Sequence, residues 1–342
     1  MEPSGEQRDA AAPGDDSGDA SGPLVSVVLP TYNRARLLER AIPSILEQTY
    51  RRLELIVVDD NSSDDTGAVV RAFTDPRVHY VRNEQNLKLP RGLNKGFSLS
   101  RGTYLTWTSD DNLYGRDAIG RMVAFLQSGR AEFVFADYYH FTDLDPASGE
   151  PVEARHVRLP DVLHLEQGNS VGACFMYTRE VYEKIGGYDP ELFLVEDYDY
   201  FIRIQKQFRI GHIAEPLYYF RRHDESLFCA RFAEVKASDV LVRYKNALID
   251  EEGAANACVE LVMRDLTSLR SPMLRSGYHA LQRVSFRLTK AYAAGVRRYV
   301  AWQMKPRVAD VLQGFRTSAL TFRQARDALR EVMQGIGALE YR

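Results

Sequence analysis

The chain has 342 residues, 45% of them hydrophobic, 27% charged and 11% aromatic, with a formal net charge of -3. That composition describes a folded protein of one large domain with an appendage, or of two modest domains, and it excludes a global attraction to nucleic acid. Three cysteines without metal-ligand spacing fit a reduced, cytoplasmic compartment, and no apolar run of about 18 residues is present to span a membrane.

Residues 1–23 are rich in Gly, Pro, Ser and Asp and carry no aromatic or branched aliphatic residue. They read as a disordered tail, not as a secretory leader. From Leu24 onward, strand and helix patterns alternate. Val25–Leu29 is a β-branched apolar run suited to a buried strand, followed by Pro30, Thr31, Tyr32 and Asn33 and then a helical pattern. Glu54–Val58 predicts a second strand, stopped by Asp59, Asp60 and Asn61, with Ser62 or Ser63 placed to cap the next helix. Val78–Val81 and Tyr104–Trp107 predict the third and fourth strands, the fourth running into Ser109, Asp110, Asp111 and Asn112. A helix near Asp117–Leu126 and a strand at Phe133–Ala136 complete the series.

Such alternation over short connections predicts a mostly parallel sheet flanked by helices, with ligands beyond the carboxyl ends of the strands. The polar clusters after strands one, two and four should therefore meet in one cleft. Residues 140–170 read as loop. Cys174–Tyr177 reads as a strand, Arg179–Ile185 as a short helix, Glu196–Phe208 as a helix and Pro216–Phe220 as a strand. From about 235 the sequence is helical, and residues 261–342 are strongly basic, with 15 Lys and Arg against five Asp and Glu.

Adjacent carboxylates such as Asp110 and Asp111 suit Mg2+ or Mn2+, which bridge carboxylates to substrate phosphates. An isolated Asp-Asp pair is more often a solvated turn, but its place at a strand end favours chemistry. Asp59 or Asp60 can accept hydrogen bonds from a base or ribose, and Tyr32 offers a flat face for stacking. Glu196, Asp197 and Asp199 open a helix, where the dipole favours acids in any case; one of them could serve as a general base.

Val25–Arg34, Leu55–Thr66, Gly102–Asn112, Gly172–Tyr177, Ile185–Asp189, Glu196–Asp199 and Tyr219–His223 together resemble, in order, the motifs of glycosyltransferase family 2. The resemblance covers roughly residues 24–230. It implies a GT-A fold, an inverting transfer from a nucleotide-diphosphate sugar (a UDP-sugar first) and a divalent metal, Mn2+ or Mg2+. It further implies a catalytic domain over 24–234, with a nucleotide-binding half at 24–112 and an acceptor half at 113–234, and a basic helical region at 235–342. Matched motif by motif, Pro30, Thr31, Tyr32, Asn33, Asp60, Arg91 and Asp110 fall on nucleotide-binding positions. Asp111, Asp110 and His223 fall on metal positions, and Asp197 falls on the catalytic base. Thr108 departs from the pattern, since many members carry an Asp there.

The expected acceptor is a glycan or lipid-linked hydroxyl in bacterial polysaccharide or glycoconjugate synthesis, the transferred group a hexosyl or N-acetylhexosaminyl unit, and no nucleic acid is a partner. The rival reading is a non-catalytic nucleotide-sugar or glycan-binding protein. A dinucleotide-dependent oxidoreductase is disfavoured, because the turn after the first strand has none of the glycines that class needs. In the tail, Tyr278–Met304 mixes Leu281, Val284, Phe286, Leu288, Tyr292, Val296, Tyr299, Val300 and Trp302 with arginines. Such a segment either lies on the inner face of the cell membrane or packs against the catalytic domain or a second copy. The lack of one clean apolar stripe favours packing.

Overall fold

The computed structural model describes residues 22–145, 148–224, 226–264, 274, 276 and 286–337. The expected N-terminal tail therefore lies, up to residue 21, outside the described residues. The first half runs β1 (Val25–Thr31), α1 (Ala35–Leu46), β2 (Leu53–Asp59), α2 (Thr66–Ala72), β3 (Val78–Arg82), α3 (Leu89–Leu99) and β4 (Tyr104–Trp107). Next come β5 (Leu113–Tyr114), α4 (Ala118–Gln127), β6 (Phe133–Phe141), the two-residue strands β7 (Asp143–Leu144) and β8 (Pro151–Val152), and β9 (Arg155–Val157). β10 (Phe175–Thr178), α5 (Arg179–Ile185), α6 (Glu196–Gln205) and β11 (Ile210–Arg221) finish the sheet, and α7 (Leu227–Ala230) follows.

The main sheet has the order β3-β2-β1-β4-β10-β6-β11-β5, with β9 added to β6. β1 pairs in parallel with β2 and β4, and β2 with β3. β10 then inserts antiparallel between β4 and β6, so that β6 and its parallel neighbour β11 again run in the direction of β1. The sheet is mostly parallel, and β1, β2, β4, β6 and β11 all deliver their carboxyl ends to one edge. β11 is longer than the sequence suggested. Its register shifts on either side of Pro216, where proline cannot donate to the ladder.

Both faces of the sheet are covered, which explains the unbroken apolar runs. Along β1, Val25, Val27 and Leu29 pack with α1 and α4, while Val28 points to the opposite layer with Leu93 and Phe97 of α3. Gly96 lets α3 lie directly on β1, because a Cβ there would overlap a Val28 methyl group. Ser26 and Glu54 interrupt this layer as a satisfied polar unit. The Glu54 carboxylate accepts from Ser26 Oγ at 2.6 Å, from the Arg101 backbone N–H at 2.7 Å and from the Arg101 guanidinium at 2.7 and 2.9 Å.

Burial opposes ionisation of Glu54, but these donors outweigh it and hold its pKa below the ordinary 4.5. Its stabilising contribution is therefore present above 4.5 and is lost as pH falls through the lower folded value. Glu54→Gln should cost about 1–3 kcal/mol at neutral pH. Urea titrations at pH 7 and in mild acid should show the gap from the parent closing as pH drops. An equal gap at both would contradict this account.

Past α7, the chain forms α8 (Phe232–Lys245), α9 (Glu251–Met263), α10 (Phe286–Arg316) and α11 (Phe322–Gln334). α10 packs on α9 and α11, and α8 on α6 and α11. Val296, Val300, Met304, Val308 and Leu312 of α10 are buried in the same hydrophobic cluster as Val28 and Phe97. This spacing of four residues is the stripe that the sequence-based expectation did not find, and it packs inward. Leu281 and Val284, and the side chains of Phe286 and Leu288, lie outside the described residues.

The cap expected for α2 is corrected. Asp65 occupies its N-cap without a side-chain bond, and the Thr66 N–H is received by Asp64 Oδ1 at 3.0 Å. Ser62 and Ser63 are drawn instead to Asn33, for the reason given below.

Candidate active site

The loops after β1 and β2 are tied together before any ligand is considered. Asn33 adopts φ 54, a conformation asparagine tolerates. Its N–H donates to Ser62 Oγ at 2.8 Å and its Oδ1 accepts from the Ser63 N–H at 2.8 Å. Asp59 is buried and accepts from the Ser62 N–H and the Tyr80 hydroxyl, so it is part of the scaffold. Asp60 accepts from the backbone N–H groups of Leu87 and Lys88 at 2.6 and 2.9 Å and from Asn83 Nδ2 at 3.0 Å. It thus holds the 83–88 loop against the strand ends.

β4 delivers Asp110 and Asp111 beside these loops. Thr31 Oγ1 donates to Asp110 Oδ2 at 2.8 Å. Burial, and then the charge of Asp111, push the Asp110 pKa up to about 7. Burial also works against Asp111, but hydrogen bonds from His223 and Ser109 and the charge of Arg34 hold its carboxyl below the usual range. His223 Nε2 lies 3.1 Å from Asp111 Oδ2, brought there because β11 ends at the same sheet edge as β4. Asn112 Oδ1 secures this junction by accepting from the Arg221 N–H at 2.9 Å. Thr108, the departure in the motif, is buried with its hydroxyl 2.6 Å from that of Tyr218. A neutral hydrogen bond thus occupies the place of a carboxylate.

A cavity of about 640 Å³ opens along this edge. Pro30, Thr31, Tyr32, Asp60, Asp110 and Asp111 line it, and Arg34, Lys88 and Arg221 bring positive charge to it. Trp107, Tyr138, Phe175, Phe193, Phe220 and Phe228 are the aromatic part of its wall. Asp197 reaches the same cavity from the first turn of α6. Its Oδ1 accepts from the Tyr198 N–H at 2.7 Å and its Oδ2 from Asn169 Nδ2 at 3.1 Å. Burial raises the Asp197 pKa against these two donors, and burial together with the charge of Asp197 raises that of Glu196.

The neighbouring acids have other work. Glu196 is buried and receives the Leu194 N–H. Asp199 is buried and binds Arg203, Lys245 and Asn246, tying α6 to the end of α8. Of the three acids at this helix start, Asp197 is the one that lines the cavity.

The structure brings together Pro30, Thr31, Tyr32, Asp60, Asp110, Asp111 and Asp197 on the cavity, with His223 behind Asp111. Asn33 holds the loop, and Arg91 turns away to pair with Glu191 at 3.4 Å. The sequence reading missed Lys88, Asn169 and the aromatic wall. Arg34 and Arg221 were inside quoted motifs, whereas nothing local marks Lys88 or Asn169.

Residues 26–186 match the family model described as glycosyl transferase family 2. Glycosyltransferase GlyG of Streptococcus pneumoniae is 33% identical over 124 residues, covering 36% of this chain and 41% of that protein. The GalNAc(5)-diNAcBac-PP-undecaprenol beta-1,3-glucosyltransferase of Campylobacter jejuni is 39% identical over 112 residues, 32% of this chain and 36% of that protein. The chain thus spans less than half the length of these two curated relatives. Staphylococcus aureus TarS 1–349, solved with UDP-GlcNAc, superposes with a TM-score of 0.51 at 16% identity, over 91% of this chain and 90% of that one. Mannosyltransferase PcManGT of Pyrobaculum calidifontis, solved with GDP-Man and Mn2+, gives 0.52 at 19% identity, over 84% and 90%. These likenesses establish the fold, a GT-A scaffold, and within it residues 26–186, just under half of the chain, match glycosyl transferase family 2.

Proposed function

We propose that the protein transfers a sugar from a nucleoside-diphosphate donor, a UDP-sugar first among them, to an acceptor hydroxyl with inversion. The observation that carries this reading is that Asp197 opens onto the same cavity as Asp60, Asp110 and Asp111. The polar and basic residues of the lining suit a nucleoside diphosphate, and its aromatic residues suit the faces of sugar rings. The donors bound by TarS and PcManGT and the acceptor named for the Campylobacter jejuni relative agree with the proposal.

Asp111 on the cavity, with His223 behind it, would be the residues to hold a divalent cation, since a carboxylate and an imidazole are suitable donors for one. Mn2+ or Mg2+ held there would supply charge neutralisation for the departing diphosphate. Thr31, Tyr32 and Asp60 bind the nucleoside, Asp110 the ribose, and Arg34 and Lys88 the phosphates. Asp197 takes the proton of the acceptor hydroxyl as that oxygen attacks the anomeric carbon. A raised pKa makes it a stronger base than an exposed carboxylate. A single displacement inverts the centre. In this reading the protein works on a glycan or lipid-linked acceptor in bacterial glycoconjugate synthesis.

A panel of UDP, GDP and dTDP sugars, screened with Mn2+ for thermal stabilisation and donor consumption, tests the proposal. No stabilisation and no consumption with any donor would overturn it. Asp60→Ala should weaken UDP binding at least about tenfold by calorimetry, because the 83–88 loop loses its anchor along with any direct contact. Unchanged UDP affinity would remove Asp60 from the nucleoside site.

A further inference from the structure

We propose that the outward face of α10, centred on Trp302, docks the protein on an anionic lipid surface. The observations are independent of the catalytic reading. α10 buries Val296, Val300, Met304, Val308 and Leu312 in the helical layer, so its opposite side cannot contribute to that core. Trp302, 71% exposed, and Tyr299, 48% exposed, stand on that side with ring centroids 6.2 Å apart. At 3.6 residues per turn, Arg287, Arg298, Lys305 and Arg316 lie within about 60° of Trp302 around the helix axis. No acidic residue falls in that arc, and the nearest, Asp310, is about 80° away.

Of the four charges on this face, Lys305 pairs with Glu252, and among the described residues no carboxylate pairs with Arg287, Arg298 or Arg316. An aromatic pair within a basic stripe matches a bilayer surface. Trp and Tyr rings settle at headgroup level, and each Lys or Arg near anionic headgroups adds attraction. Charge complementarity selects this occupant over a second copy of the chain, because a twofold contact through this face would set arginines against arginines. No helix among the described residues is long and apolar enough to cross a membrane. The contact is therefore peripheral.

Trp107 and Trp302 are the two tryptophans of the chain, so the test has an internal reporter. The full-length protein is mixed with vesicles of phosphatidylcholine alone or with added phosphatidylglycerol, at low and physiological salt. Trp emission and co-sedimentation are followed. The mixed vesicles should shift the emission to shorter wavelength and carry the protein down, more strongly at low salt. Brominated acyl chains should quench the parent signal, and Trp302→Phe should lose that quenching. The double variant Arg298→Gln, Arg316→Gln should bind at least about tenfold more weakly, with an unchanged unfolding temperature showing that it is folded. Absence of co-sedimentation with mixed vesicles at both salts would overturn the proposal. So would an emission shift that appears without lipid as protein concentration rises, which would assign the face to self-association. Displacement from mixed vesicles by single-stranded DNA, with no quenching by brominated lipid, would assign it to nucleic acid.

Discussion

Asp197→Asn should lower the transfer rate by about 10²–10⁴-fold while leaving donor affinity close to that of the parent. The substitution keeps the shape of the group and one oxygen to receive the Tyr198 N–H or Asn169 Nδ2, but it removes the capacity to take a proton. Because burial raises the Asp197 pKa, the parent should lose activity as pH falls through that raised value, and the variant should lack this acid limb. A carboxylate with a raised folded pKa costs stability as pH rises from the unfolded value, and the cost is complete above the folded one. The variant should accordingly unfold at the same or a higher temperature than the parent at neutral pH. Single-turnover transfer across a pH series, together with thermal unfolding, checks both. Near-parental turnover would sink the assignment, and the burial of Glu196 and the ion pairs of Asp199 leave neither as a ready substitute on the cavity.

Removal of the Asp111 carboxylate is expected to have the other large effect. Asp111→Ala should reduce transfer on the order of 10³-fold and abolish thermal stabilisation by Mn2+ in the presence of UDP. Asp111 is the acid in contact with His223, and Thr108 provides no carboxylate to compensate. The fold should survive, since the residue sits on a loop at the cavity, outside the apolar layers. Parent activity that is equal in EDTA and in Mn2+ would contradict the metal role, whatever the variant does. An Asp111→Ala protein that still responds to Mn2+ would move the cation to Asp110.

Much of this site was legible because its parts are local features at strand ends. Thr31, Asp60, Asp110 and Asp111 each follow an apolar run, and parallel strands deliver their carboxyl ends to a common edge. Asp197 was singled out by the family resemblance, whereas the local pattern alone did not choose among Glu196, Asp197 and Asp199. Arg91 shows the limit, because a sequence position near a phosphate loop does not say which way a long side chain turns. Its partner, Glu191, is 100 residues away. The aromatic wall was also hidden, since Trp107, Tyr138, Phe193 and Phe228 come from four different segments and each alone reads as packing.

By itself, the sequence determined the strands, most helices and the loops that carry chemistry, because burial on both sheet faces and polar strand ends leave their mark within a few residues. Tertiary structure alone decided the partnerships. It set Thr31 on Asp110 across 79 residues and His223 on Asp111 across 112, and it turned Ser62 and Ser63 from helix caps into supports for Asn33. It also decided which side of α10 is core and which carries Trp302. The physical reason is common to all of these. A hydrogen bond or a buried face depends on the neighbour that the sheet order and helix packing bring within a few ångströms, and that neighbour is not written beside the residue it serves.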